Sequence, residues 1–199
     1  MTQPAENNGW TNYYKARTGR PPRPLLLAAM ARFVGAAGLQ AIDLGCGEGT
    51  DTIALLDQGW QVLALDQQPE AIVRLQAQTP PELLGRLQTQ TVAFEAVTLP
   101  PADLIYAGFS LPFCHPDHFA AFWDKLVNAV RPGGRFAGQI FGERDGWADA
   151  PDMTFLTISQ TQEMLRSFEI ESFTEIDEDG QAVSGPKHWH YFEVIGRKR

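Results

Sequence analysis

The chain has 199 residues, 44% of them hydrophobic and 20% charged, with a formal net charge of -8. That length and mixture fit one folded domain, exclude disordered and fibrous classes, and argue against a nucleic-acid backbone as partner, because such binding needs clustered Lys and Arg. Two cysteines, Cys46 and Cys114, make neither a disulfide framework nor a metal cluster, and the four histidines lack HExxH spacing, so no metal is expected. The opening residues carry no basic-plus-apolar signal and no stretch approaches the length of a membrane span, so the cytoplasm is the expected location.

Residues 1–24 are polar with scattered aromatics (Trp10, Tyr13, Tyr14) and end in GRPPRP, which reads as an arm rather than core; residues 25–199 read as a single domain. LLLAAMARFV (Leu25 to Val34) predicts a buried or amphipathic helix stopped near Gly35 and Gly38. Short β-forming apolar runs follow at 41–44, 61–65, 91–94, 103–107 and 135–141, separated by helix-like stretches at 50–58, 70–78, 117–130 and 161–167. The alternation predicts parallel strands joined by helical crossovers. At the end, FEIESFTEI (168–176), a turn around DEDG (177–180) and HWHYFEVIGRK (188–198) predict an antiparallel hairpin closing one side of the sheet.

The most informative stretch is AIDLGCGEGTDTIALL (41–56), where Gly45, Gly47 and Gly49 directly follow the first strand. Glycine loses more conformational entropy on folding than any other residue, so three in five positions imply that something approaches the backbone closely. In open α/β sheets the first strand-to-helix turn does this for a ligand, and the following helix N-terminus offers free N–H groups. The dinucleotide fingerprint G-x-G-x-x-G would require glycine at position 50, which is Thr50. Asp66 ends the next strand 21 residues after Gly45, close to the spacing of a carboxylate that accepts from ribose hydroxyls. The competing role for Asp66 is to cap the helix that begins near Pro69 and Glu70.

With DLGCGEGTDT, LALDQQPEAI and VRPGGRFAGQIFG in this order, the chain resembles class I S-adenosylmethionine-dependent methyltransferases from about Leu25 to the C-terminus. Within that superfamily, the glycine loop, the arm carrying Tyr13, Tyr14 and Arg17, and the KHWH segment are similar to small bacterial methyltransferases of the tellurite-resistance type. The resemblance implies an α/β, Rossmann-like three-layer sandwich with a seven-stranded, mostly parallel sheet of order 3-2-1-4-5-7-6 and an antiparallel strand 7. It implies S-adenosyl-L-methionine as cofactor and S-adenosyl-L-homocysteine as product. Asp43 and the backbone of Gly45 and Gly47 would face the methionine portion, Asp66 would hold the ribose hydroxyls, and Glu95 would accept from the adenine amino group. A solvated strand-end carboxylate is the alternative for Glu95. Ala107 and Phe109, with Gly108 between them, would flank the transferring methyl group.

Methyl transfer from a sulfonium mainly requires alignment and exclusion of water, and it needs a base only for acceptors that must lose a proton. His115, after the fourth strand, is the candidate base, although a histidine before a helix also serves as a cap. Arg17 suits the cofactor carboxylate, because a guanidinium fits a carboxylate bidentately. Tyr14 on the arm, Arg144 and Trp147 in the polar excursion FGERDGWADAPDM (141–153), and His190 near the last strand are candidates for the acceptor pocket. The partner expected is a small-molecule acceptor, with neither nucleic acid nor membrane. Two rival functions remain at this level: a non-catalytic S-adenosylmethionine-binding module, and a nicotinamide-dependent oxidoreductase.

Overall fold

The structure, a computed structural model, describes residues 9–35 and 38–199. Seven strands form one sheet: β1 (Gln40–Leu44), β2 (Gln61–Asp66), β3 (Leu87–Thr91), β4 (Ala102–Ala107), β5 (Val130–Phe141), β6 (Phe168–Ala182) and β7 (Gly185–Lys198), in the order β3-β2-β1-β4-β5-β7-β6. Every neighbouring pair from β3 to β5 is parallel, and β7 runs antiparallel to both β5 and β6. The chain winds outward from β1 through β2 to β3, then returns to add β4 on the other side. The carboxyl ends of β1 and β4 therefore diverge into a crevice, the place where open α/β sheets bind ligands.

Successive strand residues face opposite sides, and the core divides accordingly. Ile105 and Phe136 pack with Phe122, Trp123 and Leu126 of α5 (Pro116–Ala129). Their neighbours Leu104 and Ala137 pack on the other face with Leu26 of α2 (Pro24–Met30) and Leu55 and Leu56 of α3 (Thr50–Asp57). α4 (Pro69–Gln78) adds Ile72 and Leu75 against Ala64 and Cys46, while α6 (Ile158–Met164) brings Met164 to the α5 side. The result is three layers, as expected. Among the described residues, no helix is long and apolar enough to cross a membrane.

Five local readings change. The third strand is Leu87–Thr91, not 91–94: LQTQT is a half-exposed edge strand without an apolar run, and the apolar Phe94 sits beyond it, in a 3-10 turn, stacked on Phe122 at 4.8 Å. The last helix starts earlier, because Thr157 and Gln160 form a reciprocal capping box that fixes its N-terminus. DEDG does not turn: β6 continues to Ala182, since His188 bridges Asp177 and Asp179 across the hairpin, with both contacts at 2.8 Å. Finally, the arm contains a helix, α1 (Gly9–Arg17), whose Tyr14 is only 1% exposed; residues 1–8 of the arm lie outside the described residues. The helix expected over 25–34 ends at Met30.

Candidate active site

β1 hands over to α3 through a loop in which Gly45, Gly47 and Gly49 all have positive φ, at 69°, 55° and 95°. Two of these glycines are demanded by protein neighbours. A Cβ at Gly45 would coincide with the side chain of Ser110, and one at Gly49 would lie 2.5 Å from Leu75 Cδ1. A Cβ at Gly47, by contrast, would meet only Tyr14, at 3.6 Å. The loop is pinned to β2: the N–H groups of Gly45 and Cys46 both donate to Leu65 O, at 2.8 and 2.9 Å. Gly47 N–H donates to Asp66 Oδ2 at 3.0 Å, and Gln68 N–H donates to Oδ1 at 2.9 Å. Asp66 thus braces the loop and α4 while keeping lone pairs free on both oxygens; burial pushes its pKa up, and the backbone donors oppose that shift.

Beneath the loop lies a buried polar layer. Asp43 is 2% exposed and accepts from Thr52 Oγ1 at 2.6 Å; burial, then the charge of Asp51, raises its pKa to about 7. Asp51, in the first turn of α3, receives Arg20 at 2.8 and 3.0 Å, Arg23 Nη1 at 2.5 Å and Arg23 N–H at 2.9 Å. Glu48 takes Arg20 Nε at 2.9 Å. These pairs fasten the segment between α1 and α2 to the glycine loop, which lays α1 across the crevice. Tyr14 then covers Gly47, Trp10 stacks on Tyr14, and Arg17 faces the cleft with a buried Nε that has no partner among the described residues.

The cleft encloses about 630 Å³. On the β1–β2–β3 side it is lined by Gly45, Gly47, Asp66 and Glu95; on the β4–β5–β7 side by Phe109, Phe113, Phe141, Trp147 and Trp189. Phe109 is the only non-glycine with positive φ among the described residues, at 59°, and its N–H donates to Gln139 Oε1 at 3.2 Å. That strained turn aims its ring at Phe141, Trp189 and Tyr191, with centroids 5.0–6.1 Å away. Behind this wall Lys187 pairs with Asp145 at 2.5 Å and lies over the rings of Trp189, Trp147 and Phe141, at 3.7, 4.5 and 4.9 Å. Burial lowers the Lys187 pKa, and Asp145 opposes that shift.

Of the residues singled out from sequence, Tyr14, Arg17, Gly45, Gly47, Asp66, Glu95, Phe109 and Trp147 line the cleft. Asp43 and Ala107 do not: one is sealed under the loop and the other is fully buried in β4. His115 stands outside as the N-cap of α5, its Nδ1 accepting from Asp117 N–H at 3.2 Å. Arg144 is on the surface, bound to Glu175 and Asp177 at 2.7 and 2.5 Å. His190 is buried away from the cleft, accepting from Arg144 N–H at 3.0 Å and meeting Glu175 at 3.0 Å. The alternation along β7 is the reason: Trp189 takes the cleft face, so His190 takes the other. Sequence reasoning missed Arg20, Arg23 and Asp51, whose signal was an acid in the first turn after the glycine loop opposite a basic Pro-rich linker; it also missed Trp189.

Sheet order, cleft and glycine loop together define a Rossmann-like fold of the methyltransferase type. Residues 42–136 match a family model described as a methyltransferase domain. That match spans 95 of the 199 residues, a little under half of the chain, and is a likeness to that family. The chain is 28% identical over 125 residues to a carboxy-S-adenosyl-L-methionine synthase from Enterobacter sp. (strain 638), covering 57% of this chain and 47% of that protein. To a trans-aconitate 2-methyltransferase from Methylobacterium nodulans it is 33% identical over 129 residues, covering 61% of this chain and 44% of that protein. Both alignments span a little under half the length of the relative. Among solved structures, TehB from Haemophilus influenzae superposes with a TM-score of 0.74 at 15% identity, over 96% of this chain and 67% of that one, a likeness of fold.

Proposed function

We propose that the protein is an S-adenosylmethionine-dependent methyltransferase that alkylates a small-molecule acceptor. The observation that carries this reading is the pairing, across one cleft, of a glycine-loop backbone braced by Asp66 with an aromatic wall. When bound, S-adenosyl-L-methionine supplies an electrophilic methyl group for in-line displacement, leaving S-adenosyl-L-homocysteine. Asp66 accepts from the ribose hydroxyls with the lone pairs that Gly47 and Gln68 leave free. The backbone of Gly45 and Gly47 faces the methionine portion, and Arg17, on the cleft lining, answers its carboxylate. Glu95 accepts from the adenine amino group. Phe109 and its aromatic neighbours exclude water and align the acceptor.

In this reading residues 1–24 form an arm over the cofactor, and residues 25–199 form the catalytic domain. The acidic charge favours a small diffusible acceptor in the cytoplasm over nucleic acid. Calorimetric titration with S-adenosyl-L-homocysteine, run beside NADH, tests the proposal. Saturable binding of S-adenosyl-L-homocysteine alone supports it; binding of NADH alone, or of neither, overturns it.

A further inference from the structure

Six aromatic side chains of the cleft lining keep part of their surface open: Trp10 and Tyr13 on α1, Phe109 and Phe113 after β4, Trp147 after β5 and Trp189 on β7. Three of them form a run, with Phe109 5.9 Å from Trp189 and Trp189 6.0 Å from Trp147, their planes inclined at 67° and 58°. From the arm, Trp10 meets Phe113 at 4.9 Å and 71°. In such a corner a flat guest lying on the face of one ring meets the edge of the next, and aromatic rings favour both arrangements. A saturated guest of the same size buries its area without that pairing.

The charged groups of the cleft are all engaged. Among the described residues its charged lining consists of Arg17, Arg23, Asp66 and Glu95. Arg17, Asp66 and Glu95 serve the cofactor in the reading above, on which this inference rests, and Arg23 gives its guanidinium to Asp51, with Nη1 at 2.5 Å. Behind the wall, Lys187 lies 3.7 Å from the centre of Trp189 and 4.5 Å from that of Trp147, and Asp145 neutralises it at 2.5 Å, both side chains being sealed from solvent. A second cation on these rings would compete with Lys187 for the same π-electrons, and an anion would find no uncompensated positive group. A charge carried in by the acceptor would therefore stay unpaired, which is costly in a cleft that excludes water. Gln181 and Ser184, from the β6–β7 turn, add uncharged donors and acceptors to the lining, which suit the polar atoms of a neutral molecule.

We infer that the methyl acceptor is an uncharged molecule built on a planar aromatic ring, held in the Phe109–Trp189–Trp147 corner. The lone pair of its accepting atom forms the new bond to carbon as the methyl–sulfur bond breaks, and that bond's electron pair stays on sulfur, whose positive charge is cancelled. The proton of an accepting hydroxyl or N–H passes to water, since none of the four histidines lines the cleft.

The test compares probes of nearly one carbon skeleton. 2-Naphthol, whose phenol stays protonated at neutral pH, its saturated counterpart 2-decalol, 2-naphthoate and 2-naphthylmethylammonium are titrated calorimetrically at neutral pH into protein saturated with S-adenosyl-L-homocysteine. We expect 2-naphthol to bind ~fivefold or more tighter than 2-decalol, as suits aromatic pairing beyond buried area, and ~tenfold or more tighter than either charged probe. Trp189→Leu should weaken 2-naphthol ~fivefold while 2-decalol and S-adenosyl-L-homocysteine change by less than ~twofold, and Trp189→Phe should restore most of the loss. Trp147→Leu, on a different element, should act in the same direction, and it carries this arm if Trp189→Leu does not fold. Binding of 2-decalol or of a charged probe as tight as that of 2-naphthol overturns the assignment, as does failure of all four probes to bind, or undiminished 2-naphthol affinity in the folded leucine variant. Failure of S-adenosyl-L-homocysteine itself to bind overturns the methyltransferase reading and this assignment with it, whereas its binding without a preference for 2-naphthol overturns this assignment alone.

Discussion

On the β1–β2 side of the cleft the main chain does the shaping. Gly45, Cys46 and Gly47 direct their N–H groups to Leu65 O and Asp66, and the whole device lies within residues 45–66. On the β4–β5–β7 side the wall is side chains from distant stretches, Phe109, Phe141, Trp147 and Trp189, held by a buried Lys187–Asp145 pair. The first side has one geometry for one ligand, because hydrogen bonds and positive φ angles tolerate little variation. The second can change residue by residue without disturbing the first, as expected of a fold that keeps its cofactor and varies its substrate.

Substitutions on each side sharpen that contrast. Gly45→Ala should have the largest effect, because it combines φ of 69° with a Cβ placed on Ser110. It should lower stability by ~3 kcal/mol and weaken S-adenosyl-L-homocysteine ~100-fold, read by thermal unfolding and calorimetry. An affinity within a few-fold of the parent would mean that the loop geometry does not set cofactor binding.

Asp66→Ala should weaken the same ligand ~30-fold, in line with the loss of charged hydrogen bonds, while the fold persists. Affinity unchanged on titration would remove Asp66 from the ribose.

Asp43→Asn separates a structural carboxylate from a binding one. With a pKa of about 7 in the fold against the ordinary 3.8, Asp43 retains a proton that the unfolded chain has lost between those pH values. Stability therefore falls as pH rises from about 4 to about 7 and stays lower above that. Asparagine still accepts from Thr52 and carries no charge, so it should raise the unfolding free energy at pH 8 by on the order of 2 kcal/mol and change little at pH 4. Denaturant titrations at the two pH values measure this. A tenfold loss of S-adenosyl-L-homocysteine affinity would instead give Asp43 a direct contact with the methionine portion.

His115→Ala should have the smallest effect. Loss of its cap on α5 costs ~1 kcal/mol, while methyl transfer to any acceptor found should be unchanged. A rate lowered tenfold or more would restore His115 as the base.

Local pattern was enough for much of this protein. The alternation of apolar strands and helical stretches, the glycines after β1, Asp66 at the end of β2 and the closing hairpin are all written in windows of a few residues, because strand burial and positive φ are local demands. Phe109 and Trp147 were also legible, as apolar or aromatic residues on loops beyond carboxyl strand ends. Tertiary structure alone decided which faces meet. Trp189 rather than His190 reaches the cleft because β7 pairs with β5 in one register, and Gly142 and Gly146 hydrogen-bond His190 O and His188 O, which fixes the path of the 142–157 loop. Arg144 turns outward on that path, to Glu175 and Asp177. The basic linker folds in toward Asp51 because two arginines lie within reach of a carboxylate buried at the start of α3. Each of these outcomes depends on residues far apart in the chain, whose contact exists only once the sheet has chosen its order.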